Sequence, residues 1–342
     1  MALKNILDCS YEDLVTQLAS FQEKPFRATQ IFEWIYQKNI SSFEQMKNLP
    51  PRLKEYLKTE FVLELPACRC EQESYDGTKK ILFELSDREH IETVIIPTKS
   101  RVTVCVSTQV GCKYGCRFCA SGLGGFKRHL SCAEILGQIC FVKRSLKNQD
   151  LSHIVFMGVG EPLDNYENLM KAIRILNASE GFNIGARRIT ISTCGLIPQI
   201  KKLTQEGLQI ELSISLHGAT DALRNELMPV NQRFPLLKLV EACHDYVKAT
   251  NRQITFEYIL IKDLTCTLES ARRLKELLKG LLCKLNLIVY NEVSEFPYKS
   301  PSKEEVRNFQ AALDRFGIHA TLRQPRGRDI AAACGQLRHQ HQ

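Results

Sequence analysis

From residue 102 onward the chain alternates between two periods, and this alternation limits the folds open to it more than any other feature. Runs rich in β-branched and aromatic residues occur at 102–107, 154–157, 188–192, 211–216, 254–260, 285–289 and 319–322. Between most of them lie amphipathic stretches, at 134–143, 166–176, 235–248, 268–278 and 303–316, with apolar residues at helical spacing. Strand alternating with helix implies an α/β fold with a parallel sheet, and six or seven such units imply a closed or partly closed barrel. Functional groups then gather at the C-terminal ends of the strands.

The text before residue 102 is different. Residues 10–61 read as a small helical module. Ser10 can cap a helix with Asp13 three positions on, Leu14 and Leu18 share one face, and Ile31, Trp34 and Ile35 form a second apolar stripe. Pro50-Pro51 reads as the end of a third short segment. Residues 66–100 carry β-type runs at 80–85 and 91–97, predicting a hairpin or linking strands. The expected layout is a helical accessory domain at 1–65, linking strands at 66–100 and a barrel with its C-terminal segment at 101–342. No apolar run approaches the length of a membrane span, and Lys4 and Asp8 interrupt any signal-peptide core. The expected location is the cytoplasm, without membrane attachment.

Fourteen cysteines in a 342-residue chain are too sparse for a small disulfide scaffold. In a reducing compartment they point to metal binding or thiol chemistry for some and plain burial for the rest. The formal charge of +8 favours polyanions without naming one. After the first barrel strand comes Cys112-Lys113-Tyr114-Gly115-Cys116-Arg117-Phe118-Cys119, a C-x3-C-x2-C loop. A structural zinc site takes four protein ligands, usually in two separated pairs. Three thiolates on one loop suit a [4Fe-4S] cluster with one iron left free of protein.

With Phe118 before its last cysteine, this loop resembles the signature of the radical S-adenosylmethionine superfamily. The resemblance implies a partial (β/α)6 barrel and a cluster held by Cys112, Cys116 and Cys119. S-adenosylmethionine would bind the free iron and be cleaved by one electron to a 5′-deoxyadenosyl radical. Residues at later strand ends are candidate cofactor contacts: Gly160 and Glu161 in a glycine-rich turn, with Glu161 suited to the methionine ammonium, then Ser192, Ser215, Leu216, His217 and Asn291.

Two further cysteines narrow the reading. Cys105 precedes the loop by seven residues, and Cys334 lies in Ala-Ala-Ala-Cys-Gly-Gln-Leu near the C-terminus. With Ile91-Glu92-Thr93-Val94 and Gly160-Glu161-Pro162-Leu163, they make the chain, from about Lys24 to Leu337, resemble the RlmN family, which methylates carbon 2 of adenine in 23S ribosomal RNA and transfer RNA. That carbon lies between two ring nitrogens and is too electrophilic to attack a methyl cation. The resemblance therefore implies a radical route using two S-adenosylmethionine molecules per turnover. Cys334 takes a methyl from the first. The second supplies the radical that turns this methyl into an adenine-adding thiomethylene. Cys105 then resolves the protein–RNA adduct through a disulfide with Cys334, and Glu92 removes the ring proton.

The implied partners are the two RNAs and an unidentified electron donor, and nothing in the sequence calls for an oligomer. Lys127, Arg128 and His129, Arg187 and Arg188, and Arg323, Arg326 and Arg328 are candidate phosphate-positioning groups, and the helical domain at 1–65 is expected to bind RNA as a second handle. The other nine cysteines read as incidental. Two alternatives stay open: a Cfr-like enzyme methylating carbon 8 of the same adenine, from which Pro162 and Arg326-Gly327 turn the resemblance away, and a metal-stabilised RNA-binding protein without catalysis.

Overall fold

A computed structural model describes residues 3–146 and 150–337. One ten-stranded sheet organises the molecule. In chain order its strands are β1 (Ala67–Glu73), β2 (Lys79–Glu84), β3 (His90–Pro97), β4 (Val102–Cys105), β5 (Leu151–Phe156), β6 (Ile189–Thr193), β7 (Glu211–Ser215), β8 (Ile254–Leu260), β9 (Cys283–Val289) and β10 (Ala320–Arg323). Their spatial order follows the sequence order. β1 to β4 pair antiparallel, and β4 to β10 run parallel, giving six β/α units and a closing strand. β10 does not pair back onto β4, so the barrel is partial. The strands at 66–100, expected as a hairpin or linker, continue the same sheet through the β3–β4 pairing.

Strand alternation decides what faces the lumen. In β8, Ile254, Phe256, Tyr258 and Leu260 are fully buried in the main core, while Thr255, Glu257 and Ile259 line interior cavities. β6 and β7 repeat the pattern: Ile189, Ile191, Leu212 and Ile214 enter the core, and Thr190, Ser192, Ser213 and Ser215 face inward. Each fully buried aliphatic or aromatic side chain contributes about 1.5–3 kcal/mol of transfer free energy. The outer face therefore carries the stability, and the inner face can be polar.

Helices cover that outer face: α4 (Cys132–Ser145), α5 (Tyr166–Asn177), α6 (Ile197–Leu203), α7 (Asp221–Leu227), α8 (Leu236–Thr250), α9 (Leu268–Leu277) and α10 (Lys303–Arg315). The N-terminal module holds α1 (Tyr11–Ser20), α2 (Phe26–Phe32) and α3 (Pro51–Glu60). Ser10 and Asp13 form a reciprocal capping box on α1, and Leu14 and Leu18 are buried. Pro50-Pro51 starts a helix and does not end one: Pro51 occupies the first turn of α3, where its missing N–H costs nothing. The module is tied to the barrel by Asp8 Oδ1, which accepts from the Ala133 amide (2.7 Å), and by Lys143, which donates to the Tyr36 carbonyl (2.6 Å). Among the described residues no helix is long and apolar enough to cross a membrane.

Candidate active site

Two cavities meet inside the barrel. The smaller, about 160 Å³, is lined by Cys112, Cys116 and Cys119 of the loop after β4, and by Gly160, Glu161, Ser192, Ser215 and His217 from the ends of successive parallel strands. The larger, about 490 Å³, lies among the inward residues of β4 to β10. Cys334, Glu257, Arg323 and Met157 line both. The exposed Cys334 thus stands on the wall between a three-thiol chamber and a space several times the volume of a purine base.

The smaller cavity has a defined frame. Glu161 is buried, and its carboxylate accepts from the amides of Leu163 (3.1 Å) and Cys194 (2.8 Å). Burial raises its pKa, and these two N–H bonds oppose the rise. Gly160 has φ of +104°, and a Cβ there would stand 2.5 Å from that of Gln109, so only glycine fits. His217, at the end of β7, accepts at Nδ1 from the Ile259 amide (3.1 Å) and meets the Phe118 ring edge-on at 4.8 Å. Burial, reinforced by Arg224, pushes its pKa down to about 3 and keeps the imidazole neutral.

The three cysteines are half-buried. Burial pushes the Cys112 thiol up to about 12 and raises those of Cys116 and Cys119, so a strongly positive centre is needed to make them thiolates. Among the described residues no three His, Cys, Asp or Glu side chains converge as a single ion requires. Three thiols spread round one chamber fit a polynuclear cluster, with Glu161 and the serines beside it for a small polar ligand.

Cys105 ends β4 in an apolar cluster with Val94, Val159, Ala332 and Leu337, so the segment carrying Cys334 packs directly over it. Burial, then the neighbouring Cys334 thiol, pushes the Cys105 pKa up to about 12. Two sets of contacts hold the Cys334 segment. On one side the β1–β2 turn grips it: Ser74 Oγ donates to Asp329 (2.6 Å), the Tyr75 amide donates to Asp329 (3.3 Å), and Asp76 accepts from the Gly327 amide (3.1 Å). On the other, the cysteine loop donates from the Ala120 amide to the Gly335 carbonyl (2.7 Å) and from Ser121 Oγ to the Leu337 carbonyl (2.8 Å).

Other predicted residues stand elsewhere. Asn291 faces the larger cavity and is engaged with the Cys334 segment, donating to the Cys334 carbonyl (3.1 Å) and accepting from Arg328 (2.6 Å). Leu216 is fully buried in the core and lines neither cavity. Glu92 is buried on β3, 3.2 Å from Lys80, and lines a third cavity of about 540 Å³ with Ala120, Ser121 and Val159. Lys80 also reaches the Ala331 carbonyl (3.5 Å), joining Glu92 to the Cys334 segment. Arg323, expected to position phosphates, instead enters the barrel and pairs with the buried Glu257 (3.4 Å). Lys127 and Arg128 are likewise met by protein carboxylates, Glu89 for the first and Asp87 and Glu134 for the second. Glu257 was missed by sequence reasoning, although a lone carboxylate inside the apolar run Ile-Thr-Phe-Glu-Tyr-Ile-Leu was a signal that could have found it.

Comparison with known proteins agrees with this frame. The Radical SAM superfamily profile matches residues 106–295, and the chain belongs to that superfamily. Residues 4–63 match the "Ribosomal RNA large subunit methyltransferase N-terminal domain". Curated relatives include the "Probable dual-specificity RNA methyltransferase RlmN" of Geobacillus thermodenitrificans, 48% identical over 99% of this chain and 93% of the relative. The same-named protein of Clostridium perfringens is 44% identical over 98% of this chain and 97% of its own length. The chain belongs to the RlmN family of radical SAM RNA methyltransferases. Among solved structures, a radical SAM methyltransferase from Sphaerobacter thermophilus matches with a TM-score of 0.94 and 43% identity, covering 98% of this chain and 99% of that one.

Proposed function

We propose that this RNA methyltransferase transfers a methyl group to carbon 2 of adenine, in the peptidyl-transferase loop of 23S ribosomal RNA and beside the anticodon, on its 3′ side, in transfer RNA. The observation that carries the reading is the place of Cys334, on the wall shared by the three-thiol chamber and the larger cavity, with Cys105 packed under its segment. In this reading Cys112, Cys116 and Cys119 hold a [4Fe-4S] cluster, and Glu161, Ser192, Ser215 and His217 hold S-adenosylmethionine. When bound, these groups supply a transferable methyl and a carbon-centred radical.

The protein's own residues do the rest. Cys334 carries the methyl on its sulfur and presents it to an unstacked adenine in the larger cavity. With one hydrogen of this methyl removed by the radical that the bound groups would supply, the carbon bonds to carbon 2, joining protein and RNA, and the unpaired electron left on the adduct would return to the cluster. Cys105 attacks the Cys334 sulfur, so the new sulfur–sulfur bond replaces the sulfur–carbon bond to the base. Glu92, held beside the Cys334 segment by Lys80, accepts the ring proton from carbon 2 as the released methylene takes up a proton and becomes the product methyl. Two S-adenosylmethionine molecules are used per methyl delivered, one for each role. The cycle suits a monomer in a reducing cytoplasm, where cellular thiols reopen the disulfide and a reductant supplies the electron. Cys105→Ala tests the scheme: it should accumulate protein covalently bound to RNA on a denaturing gel, and free methylated RNA at the parent yield would overturn it.

A further inference from the structure

Arg224, on α7, is the largest fully buried side chain among the described residues. A guanidinium stays charged, and burying it without a counter-charge is costly. Its Nη2 donates to the Cys194 carbonyl (2.6 Å) and its Nη1 meets the Met228 sulfur (3.2 Å), while Nε has no hydrogen-bond partner. Among the described residues no carboxylate pairs with it. The ionisable groups that act on it most are Cys194, Cys116 and Cys243, then Asp221, and it in turn acts on the neutral His217. Asp221 is committed to the Asn231 amide (2.7 Å) and the Leu236 amide (2.9 Å).

Two glycines let the backbone close in around this residue. A Cβ on Gly195 would stand 3.1 Å from Nη2, and one on Gly218 would stand 2.9 Å from the Arg224 amide nitrogen. Both residues that the guanidinium touches, Cys194 and Met228, line the three-thiol chamber. The end of α7 is bonded to the cysteine loop itself, through the Arg117 amide and the Leu227 carbonyl (2.9 Å). The uncompensated cation therefore lies one side-chain layer behind that chamber, on the Cys116 side.

We propose that Arg224 is the built-in counter-ion of the iron–sulfur cluster, raising its reduction potential and helping to retain it. This rests on the reading that Cys112, Cys116 and Cys119 hold the cluster. A cluster held by three thiolates carries net negative charge, and reduction adds one more. A fixed cation behind the chamber stabilises the reduced form more than the oxidised one, and in a low-dielectric setting that difference is only weakly screened.

The test compares Arg224→Gln and Arg224→Lys with the parent as cluster-loaded full-length enzymes. The midpoint potential is measured by redox titration followed by electron paramagnetic resonance, and iron loss to a chelator is timed. Arg224→Gln should shift the reduced-to-oxidised balance about tenfold toward the oxidised form, equivalent to roughly 59 mV lower for a one-electron couple, and should lose iron faster. Arg224→Lys should stay near the parent in both. A Gln variant with full iron content and the parent potential overturns the proposal, as does a Lys variant as impaired as Gln. Failure of the parent itself to take up a cluster would overturn instead the assignment of the three cysteines.

Discussion

His217 supplies a sharp test of the electrostatics around the three-thiol chamber. Its ring is buried, its Nδ1 is occupied as an acceptor by the Ile259 amide, and Arg224 is a further cation nearby. Protonation would break that bond and place a second positive charge in the interior. The folded pKa is about 3 against an ordinary 6.5. The unfolded chain therefore binds a proton that the folded chain refuses, and stability present above the unfolded value is lost as pH falls below it. At about pH 5 the unfolded histidine is almost fully protonated and the folded one is not, so the loss attributable to His217 is about 2 kcal/mol, against almost none at about pH 7.5. His217→Asn isolates this term. Asparagine tolerates the left-handed backbone at this position, where φ is 53°, and its oxygen can still accept from Ile259. Urea unfolding of the metal-free protein at both pH values should show the parent losing about 2 kcal/mol more than the variant on acidification. Acid-sensitive carboxylates common to both cancel in that difference. Equal losses in the two proteins would refute the assignment of a buried neutral imidazole.

Three further outcomes are expected. Cys334→Ala should abolish RNA methylation, and methylated RNA at the parent rate would remove the methyl-carrier role. Asp329→Ala, which frees the Cys334 segment from Ser74 and Tyr75, should raise the 5′-deoxyadenosine formed per adenine methylated and lower kcat by up to about 100-fold, with RNA affinity unchanged; an unaltered ratio would show that the β1–β2 turn does not position the carrier. Gly160→Ala, forced into φ of +104° against the Gln109 side chain, should cost at least about 2 kcal/mol in urea unfolding, and a variant as stable as the parent would contradict the close approach.

What was legible in the sequence follows from where the determinants lie. The strand at Ile254–Leu260 could be read because its β-branched and aromatic run has to fill a buried sheet. The α1 cap could be read because Ser10 and Asp13 interact within one turn. β1 left no such trace: Ala-Cys-Arg-Cys-Glu-Gln-Glu is an exposed edge with no apolar face, and it is a strand only because β2 pairs with it. Pro50-Pro51 reads as a stop but is a start, because proline breaks a helix from within yet opens one at its first turn.

At the site, the cysteine loop and the glycine-rich turn were visible because their chemistry is local. The roles of charged residues were not. Arg323 looks like a surface cation in sequence but projects inward because β10 alternates. Lys127 and Arg128 meet carboxylates brought close by folding. Asn291 contacts the Cys334 backbone across a long sequence separation. Arg224 lies on a seven-residue helix too short for its periodicity to announce it. Long-range charge pairing is a tertiary property, and one-dimensional spacing does not encode it.

Methyl transfer from Cys334 to carbon 2 of adenine is read out on the RNA product itself. Cluster-loaded enzyme, reductant, S-adenosylmethionine and ribosomal or transfer RNA are incubated without oxygen. The RNA is then digested to nucleosides and the methylated adenosine identified by chromatography and mass spectrometry against authentic standards. The expected product is 2-methyladenosine, formed by the parent and absent with Cys334→Ala. Detection of 8-methyladenosine in its place, or of 2-methyladenosine made equally well without Cys334, would contradict it.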